Sequence, residues 1–285
     1  MAKTANADQA DFWNAEAGRS WSRFQPDLDA MHTEATALLL TACAARQGEA
    51  VADIGCGAGG TTLDLAAAVG PDGTALGLDI SETLIVHARE SAARAGVGNA
   101  RFETGDAQTA ALGPAVFDLA ASRFGVMFFT DPVAAFRNIG ASLRPGGRFV
   151  FVAWAGPEHN PWFAVPARIA QARLGALPPV PPETPGPMAF RDADRVLGLL
   201  TAAGFAEPRA EPADIRLGLR GGIPAALELL RHIGPILGVV RAHGATADDL
   251  TAIHAGVAEA FGPFDTEDGL QLPARVTVFS ARMPA

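Results

Sequence analysis

From residue 50 onward the chain alternates short aliphatic or β-branched runs with longer stretches of helical periodicity. The runs fall at 50–54, 74–79, 100–104, 116–121 and 147–154, and helical patterns occupy 60–69, 82–95 and 131–142. Strands separated by helices of about ten to fifteen residues predict a parallel sheet with helices on both faces. Helix starts are marked chemically. Ser81 precedes Glu82 and an apolar-periodic run, and Thr130-Asp131-Pro132 places a cap and a first-turn proline ahead of Val133. Arg144-Pro145-Gly146-Gly147 stops the third of these helices and turns the chain into the fifth strand.

The flanks are patterned differently. Residues 8–46 read as helical, with Phe12, Trp13, Trp21 and Phe24 ahead of the run Leu38-Leu39-Leu40. Residues 155–190 read as a proline-rich loop region. The alternation resumes with a helix near 192–203, ended by Gly204, and strands near 212–219 and 274–282 complete a seven-stranded, mostly parallel sheet. Between those two strands, Ala225 to Ile233, Ile236 to His243 and Ala247 to Phe261 read as helices, an insertion too long for a plain loop. The expected layout is an N-terminal helical lid over 1–46, a doubly wound α/β domain over 47–221 and 263–285, and a helical cap over 222–262.

Composition narrows the function classes. The 285 residues carry 22 Lys and Arg against 31 Asp and Glu, a formal net charge of −9, and no basic run is present to hold nucleic acid phosphates. Cys43 and Cys56 are the only cysteines, too few for a disulfide framework or a zinc cluster. No apolar run approaches the ~20 residues that span a bilayer. The first residues lack the apolar core of a signal peptide, so the expectation is a cytoplasmic protein, monomer or homodimer, without a metal site. No G-x-S-x-G nucleophile elbow argues for a hydrolase.

The candidate chemistry centres on Val51-Ala-Asp53-Ile-Gly55-Cys56-Gly57-Ala-Gly59-Gly60, a strand running into a glycine-rich turn, followed by Leu76-Gly-Leu-Asp79 at the end of the next strand. Such a turn lets a ligand approach where a Cβ would collide. A carboxylate at the tip of the second strand can accept from two ribose hydroxyls. An adenosine-containing cofactor is therefore expected. Gly55, Gly57 and Gly60 also satisfy the dinucleotide pattern G-x-G-x-x-G, which leaves an NAD(P)-dependent oxidoreductase open as an alternative. Asp53 argues the other way: a carboxylate two residues before the first glycine suits a cofactor with an ammonium group.

Together with Gly105-Asp106-Ala107, Phe117-Asp118 and Leu143-Arg-Pro-Gly-Gly147, these motifs resemble the class I S-adenosylmethionine-dependent methyltransferases, in particular the small-molecule branch with the ubiquinone and menaquinone biosynthesis enzymes. The resemblance covers about 45–155 well and 190–220 weakly. It implies that Gly55, Cys56, Gly57 and Gly59 pass close to the methionine end and that Asp53 helps hold the ammonium. It further implies that Asp79 takes the ribose hydroxyls, Ile80 packs on adenine, Asp106 accepts the adenine amino group and Ala107 supplies a backbone donor. Ser122 and Arg123 fall where the family's backbone meets the sulfonium neighbourhood.

The resemblance implies methyl transfer to an O, N or C atom of a small organic molecule by in-line displacement, or, without catalysis, an S-adenosylmethionine-binding protein. The acceptor pocket is expected beyond the carboxyl ends of the strands, with Arg123, Phe124, Met127, Trp154, Asn160 and Trp162 as walls and Trp13 and Trp21 on the lid. His159, and after it His32, are the candidate bases, because an imidazole titrates near neutrality. Arg123 is the candidate partner of an anionic substrate group.

Overall fold

The computed structural model describes residues 6–285; residues 1–5 of the expected lid lie outside the described residues. Strand β1 (Ala50–Ile54) is buried over its last four residues, with helices on both sides, as a central parallel strand requires. It pairs in parallel with β2 (Thr74–Asp79) and with β4 (Phe117–Arg123), and β2 pairs with β3 (Ala100–Thr104). β4 carries β5 (Leu143–Trp154) on its other side, again in parallel. The long antiparallel pair β6 (Ala206–Leu219) and β8 (Gly269–Arg282) closes the sheet in the order β3-β2-β1-β4-β5-β8-β6, and the two-residue β7 (Asp265–Thr266) pairs only with β8. This is the doubly wound, mostly parallel fold that the alternation predicts. The reversal of order at β1 and β4 makes the crevice where ligands bind in such sheets.

Four short helices, α1 (Ala7–Asn14), α2 (Glu16–Arg23), α3 (Gln25–Met31) and α4 (Thr33–Cys43), precede β1. Gly18 lets α2 fold tightly back on α1, since a Cβ there would lie 2.0 Å from the Trp13 carbonyl oxygen. Helices α5 (Gly60–Val69), α6 (Glu82–Ala95) and α7 (Pro132–Ser142) follow β1, β2 and β4 at the predicted positions. The Ser81 and Asp131 side chains accept from Leu84 N (3.3 Å) and Ala134 N (2.9 Å), which are N-caps as the sequence implies. The Pro145-Gly146-Gly147 turn is a bulge inside β5 rather than a turn ahead of it: Leu143 faces Phe117 and Arg148 faces Leu119.

The expected loop over 155–190 is half helix. α8 (Pro161–Leu174) starts on Pro161 and tolerates Pro166, which forfeits one backbone hydrogen bond, because burial of Trp162, Pro166 and Ala170 holds it. Trp162 stacks on Phe261, centroids 6.5 Å apart. Phe261 ends α12 (Ala247–Phe261), which with α9 (Ala193–Ala202), α10 (Gly222–His232) and α11 (Leu237–His243) completes the helices. The cap therefore combines α8 with the inserted 222–261 segment. No single described helix is long and apolar enough to cross a membrane. α10 and α11 reach that length only together, and they meet at a 53° bend.

Asn160 is a latch for this region. Its amide donates to the carbonyls of Ala155 (3.1 Å), Gly156 (3.0 Å) and Arg275 (3.1 Å), and its oxygen accepts from Arg275 N (3.1 Å). The residue is fully buried and outside the cavity described below, so the expected substrate contact is replaced by a structural one. Asn160→Ala leaves these buried groups unpaired and should lower stability by about 2–3 kcal/mol, measured by denaturant unfolding.

Candidate active site

The carboxyl tips of β3, β2, β1, β4 and β5 open, in that spatial order, onto one cavity of about 1010 Å³. Four strand spacings make its floor roughly 19 Å long. The floor begins with Gly105-Asp106-Ala107 after β3 and passes Asp79-Ile80 and Gly55-Cys56-Gly57-Ala58. It ends at Arg123-Phe124-Gly125, Met127-Phe128-Phe129 and Trp154. The roof is the lid on one side, with Trp13, Trp21, Leu28, Met31 and His32, and on the other α8 and the stretch from His232 to Arg241.

The β1–β4 junction is set by glycine. Gly55 has φ +69°, and a Cβ on it would lie 2.7 Å from Gly125 Cα. A Cβ on Gly125 would meet Ile54 O at 2.7 Å. Ser122 locks this approach, its hydroxyl donating to Ile54 O (2.6 Å) and accepting from Gly125 N (3.2 Å). Ser122 is wholly buried and does not line the cavity, so its expected cofactor contact becomes a role in shaping the floor. Gly125, rather than Ser122, lines the cavity at this point. Gly57, at φ +57°, has open space where a Cβ would point, whereas Gly59 faces Phe102 and Ala88 in the core and lies off the cavity. The third glycine thus serves helix packing. Cys56 lines the cavity beside Gly77, with burial holding its thiol protonated well above its usual range.

The polar half lies at β1 to β3. Asp79 accepts from Ser81 N (2.9 Å) and Gly57 N (2.8 Å), one donor on each oxygen. Burial raises its pKa against those two bonds. Asp106 Oδ1 accepts from Asn6 (3.1 Å) and Gln108 N (3.0 Å), while its Oδ2 is buried without a partner. Asn6 also accepts from Thr130 N (2.9 Å), so the start of the lid ties the β3 tip to the segment after β4. Trp13 O accepts from Ser81 Oγ (2.8 Å), docking α1 on the β2 tip. Asp53 lies beneath the floor, off the cavity, with Oδ2 accepting from Thr62 (2.6 Å) and Oδ1 unpartnered. Burial pushes its carboxyl up to about 6, opposed by the Thr62 bond.

The other half, at β4 and β5, is aromatic. Phe124, at φ +63°, stacks on Trp154 with centroids 4.2 Å apart and planes 1° from parallel. His32 packs against both rings, at 5.2 and 5.8 Å. Met127 and Trp162 are buried walls. Trp13 meets Trp21 and Phe128 edge to face. Arg123 lines this half, but its guanidinium is occupied: it donates to Thr36 (2.7 Å) and pairs with Asp29 (2.8 Å), both on the lid. The expected grip on a substrate anion is thus corrected to a clasp that holds α3 and α4 on the sheet. His159 stands outside the cavity, 43 % exposed and 3.7 Å from Glu158, so geometry withdraws it as a base. Glu16 and Arg241, lid and cap, pair across the mouth at 3.3 Å.

Residues 45–169 match the family model described as a methyltransferase domain. The sheet order and the glycine turn are those of the class I methyltransferase fold. The chain is 31 % identical over 183 residues to nocamycin O-methyltransferase of Saccharothrix syringae, covering 60 % of this chain and 64 % of that one. It is 34 % identical over 136 residues to aklanonic acid methyltransferase DauC of Streptomyces sp. strain C5, covering 48 % and 54 %. The chain thus spans less than two thirds of the length of either relative. Among solved structures, the YcgJ protein of Bacillus subtilis superposes with TM-score 0.57 at 18 % identity, over 89 % of this chain and all of that one, a likeness of fold.

The buried acid under the floor has a measurable signature. The Asp53 pKa rises from an ordinary 3.8 to about 6 on folding, so the native state holds the proton more tightly than the unfolded chain. Its contribution is therefore most favourable below pH 3.8 and is lost as pH rises through 6. Relative to Asp53→Asn, the unliganded wild type should lose on the order of 3 kcal/mol between pH 4 and pH 7.5, read from denaturant unfolding at both pH values.

Proposed function

We propose that the chain transfers a methyl group from S-adenosylmethionine to a small, largely apolar, ring-bearing molecule. The observation that carries this reading is the division of one cavity into a polar half and an aromatic half that meet at the Gly55–Gly125 contact. The donor supplies an electrophilic methyl group on a sulfonium. Everything else falls to alignment and water exclusion by the protein.

The polar half suits the donor. Asp106 Oδ2, buried and unpartnered, is where an adenine amino group belongs, with Ala107 beside it. Each Asp79 oxygen keeps a lone pair beyond its backbone donor, enough for two ribose hydroxyls. Ile80 offers an apolar face to the adenine, and Gly57 leaves room for the methionine chain. Asp53, with its free Oδ1, supplies negative charge under the ammonium, reached through water. The methyl group then sits over Gly125, facing the aromatic half.

The acceptor belongs between the Phe124–Trp154 stack and the roof of Trp13, Met31 and Trp162. The names of the two relatives, an O-methyltransferase and a methyltransferase of aklanonic acid, support an organic small molecule as acceptor. Calorimetry should show S-adenosylhomocysteine binding and no NADH binding. Asp79→Ala removes two charge-assisted hydrogen bonds, about 3 kcal/mol, and should weaken S-adenosylhomocysteine more than 100-fold. NADH binding without S-adenosylhomocysteine binding would overturn the proposal.

A further inference from the structure

His32 is the titratable group in the aromatic half whose hydrogen-bonding capacity the fold leaves unanswered; Gln25 Oε1 is a further unpartnered acceptor on the cavity lining. His32 sits at the junction of α3 and α4, 5 % exposed, and what exposure remains opens into the cavity. Its ring has stacking neighbours but no hydrogen-bond partner in the described protein. A neutral imidazole carries one donor and one acceptor nitrogen, and a buried polar group without a partner is costly. Burial, and then the Arg123 cation, hold its pKa down to about 3. The imidazole is therefore neutral throughout the physiological range.

From this placement we infer that the acceptor is a ring-borne hydroxyl, and that His32 accepts its proton as the oxygen is methylated. This deepens, and rests on, the methyl-transfer reading. Ionic acceptors lack free partners among the described residues in this half of the cavity. A cationic amine meets no free carboxylate, since Asp29 is committed to Arg123 and Glu16 to Arg241. A carboxylate finds the Arg123 guanidinium already paired. A hydroxyl matches the imidazole as both donor and acceptor.

The balance closes. The hydroxyl oxygen forms the new C–O bond with one lone pair while the C–S pair departs with sulfur. The O–H proton passes to the free imidazole nitrogen, so the positive charge lost at sulfur appears on His32. A weak base suffices, because a protonated ether is a far stronger acid than an imidazolium with a pKa of about 3. The neighbouring Arg123 cation then favours return of that proton to solvent when product leaves.

The test uses S-adenosylhomocysteine-saturated protein titrated with 2-naphthol and with its methyl ether, 2-methoxynaphthalene. Wild type should bind the naphthol about tenfold more tightly, as one buried hydrogen bond implies. His32→Phe should bring the two within twofold, and His32→Gln, which restores an acceptor, should recover part of the difference. In wild type, the ¹⁵N resonances of the His32 ring should shift with 2-naphthol and not with the ether, a readout that needs no variant to fold. Equal affinities in wild type, a difference that survives His32→Phe, or binding of neither probe would overturn the inference. Failure of S-adenosylhomocysteine itself to bind would overturn the parent reading instead.

Discussion

The close passage of the backbone at Gly55 and Gly125 is the constraint on which the rest of the structure depends. Two parallel strands that splay at the centre of a doubly wound sheet normally leave a crevice. Here their tips are drawn together until neither residue has room for a Cβ, and the Ser122 hydroxyl fastens them. This pinch divides a long cavity into unequal chemistries. Carboxylates and backbone donors lie on the β2–β3 side, and stacked rings on the β4–β5 side. The Phe124 backbone, forced into a left-handed conformation next to the pinch, turns its ring onto Trp154. Strain of that kind persists only where the surroundings hold it, and here it builds a flat wall.

The lid is organised from the same strand end. Arg123 follows directly from Ser122 at the tip of β4, and it spends its charge on Asp29 and Thr36. With 14 % of its side chain exposed and a carboxylate partner only partly exposed, the pair is worth more than a surface ion pair, because water screens it less. It also adds to burial, the larger cause, in holding its neighbour His32 neutral. One guanidinium thereby helps to seat the lid and to keep the aromatic chamber's imidazole uncharged.

What could be read from the chain alone follows the range of the forces involved. β1 to β5 and the helices between them were legible because their signals are local: β-branched runs, Ser81 and Asp131 as caps, and glycine where φ is positive. α8 was not, since Pro161 and Pro166 read as interruptions while the contact that holds it, Trp162 on Phe261, joins residues far apart in sequence. For the same reason Arg123 looked available. Its partner Asp29 is 94 positions away, and no spacing rule announces it. Asn6 carried no signal at all, being one polar residue in a polar stretch. Asp79 was legible as a candidate at the tip of β2 ahead of α6, whereas Asp106, in a turn after β3, was a candidate only through the family resemblance.

The two ends of the cavity are fastened by different means. Over the polar end, Asn6 and the Trp13 carbonyl hold the lid by part-buried hydrogen bonds to Asp106, Thr130 and Ser81. At the other end lid and cap meet through the exposed pairs Glu16–Arg241 and Arg23–Glu228 and through Phe24 packed on His232, near the exposed Phe12 and Val180. Bonds of the first kind must be broken one by one, while the exposed ion pairs are screened by salt. On the proposed reading, a guest at the polar end is covered by buried hydrogen bonds and one at the aromatic end by more exposed contacts, so salt acts unequally on their exchange.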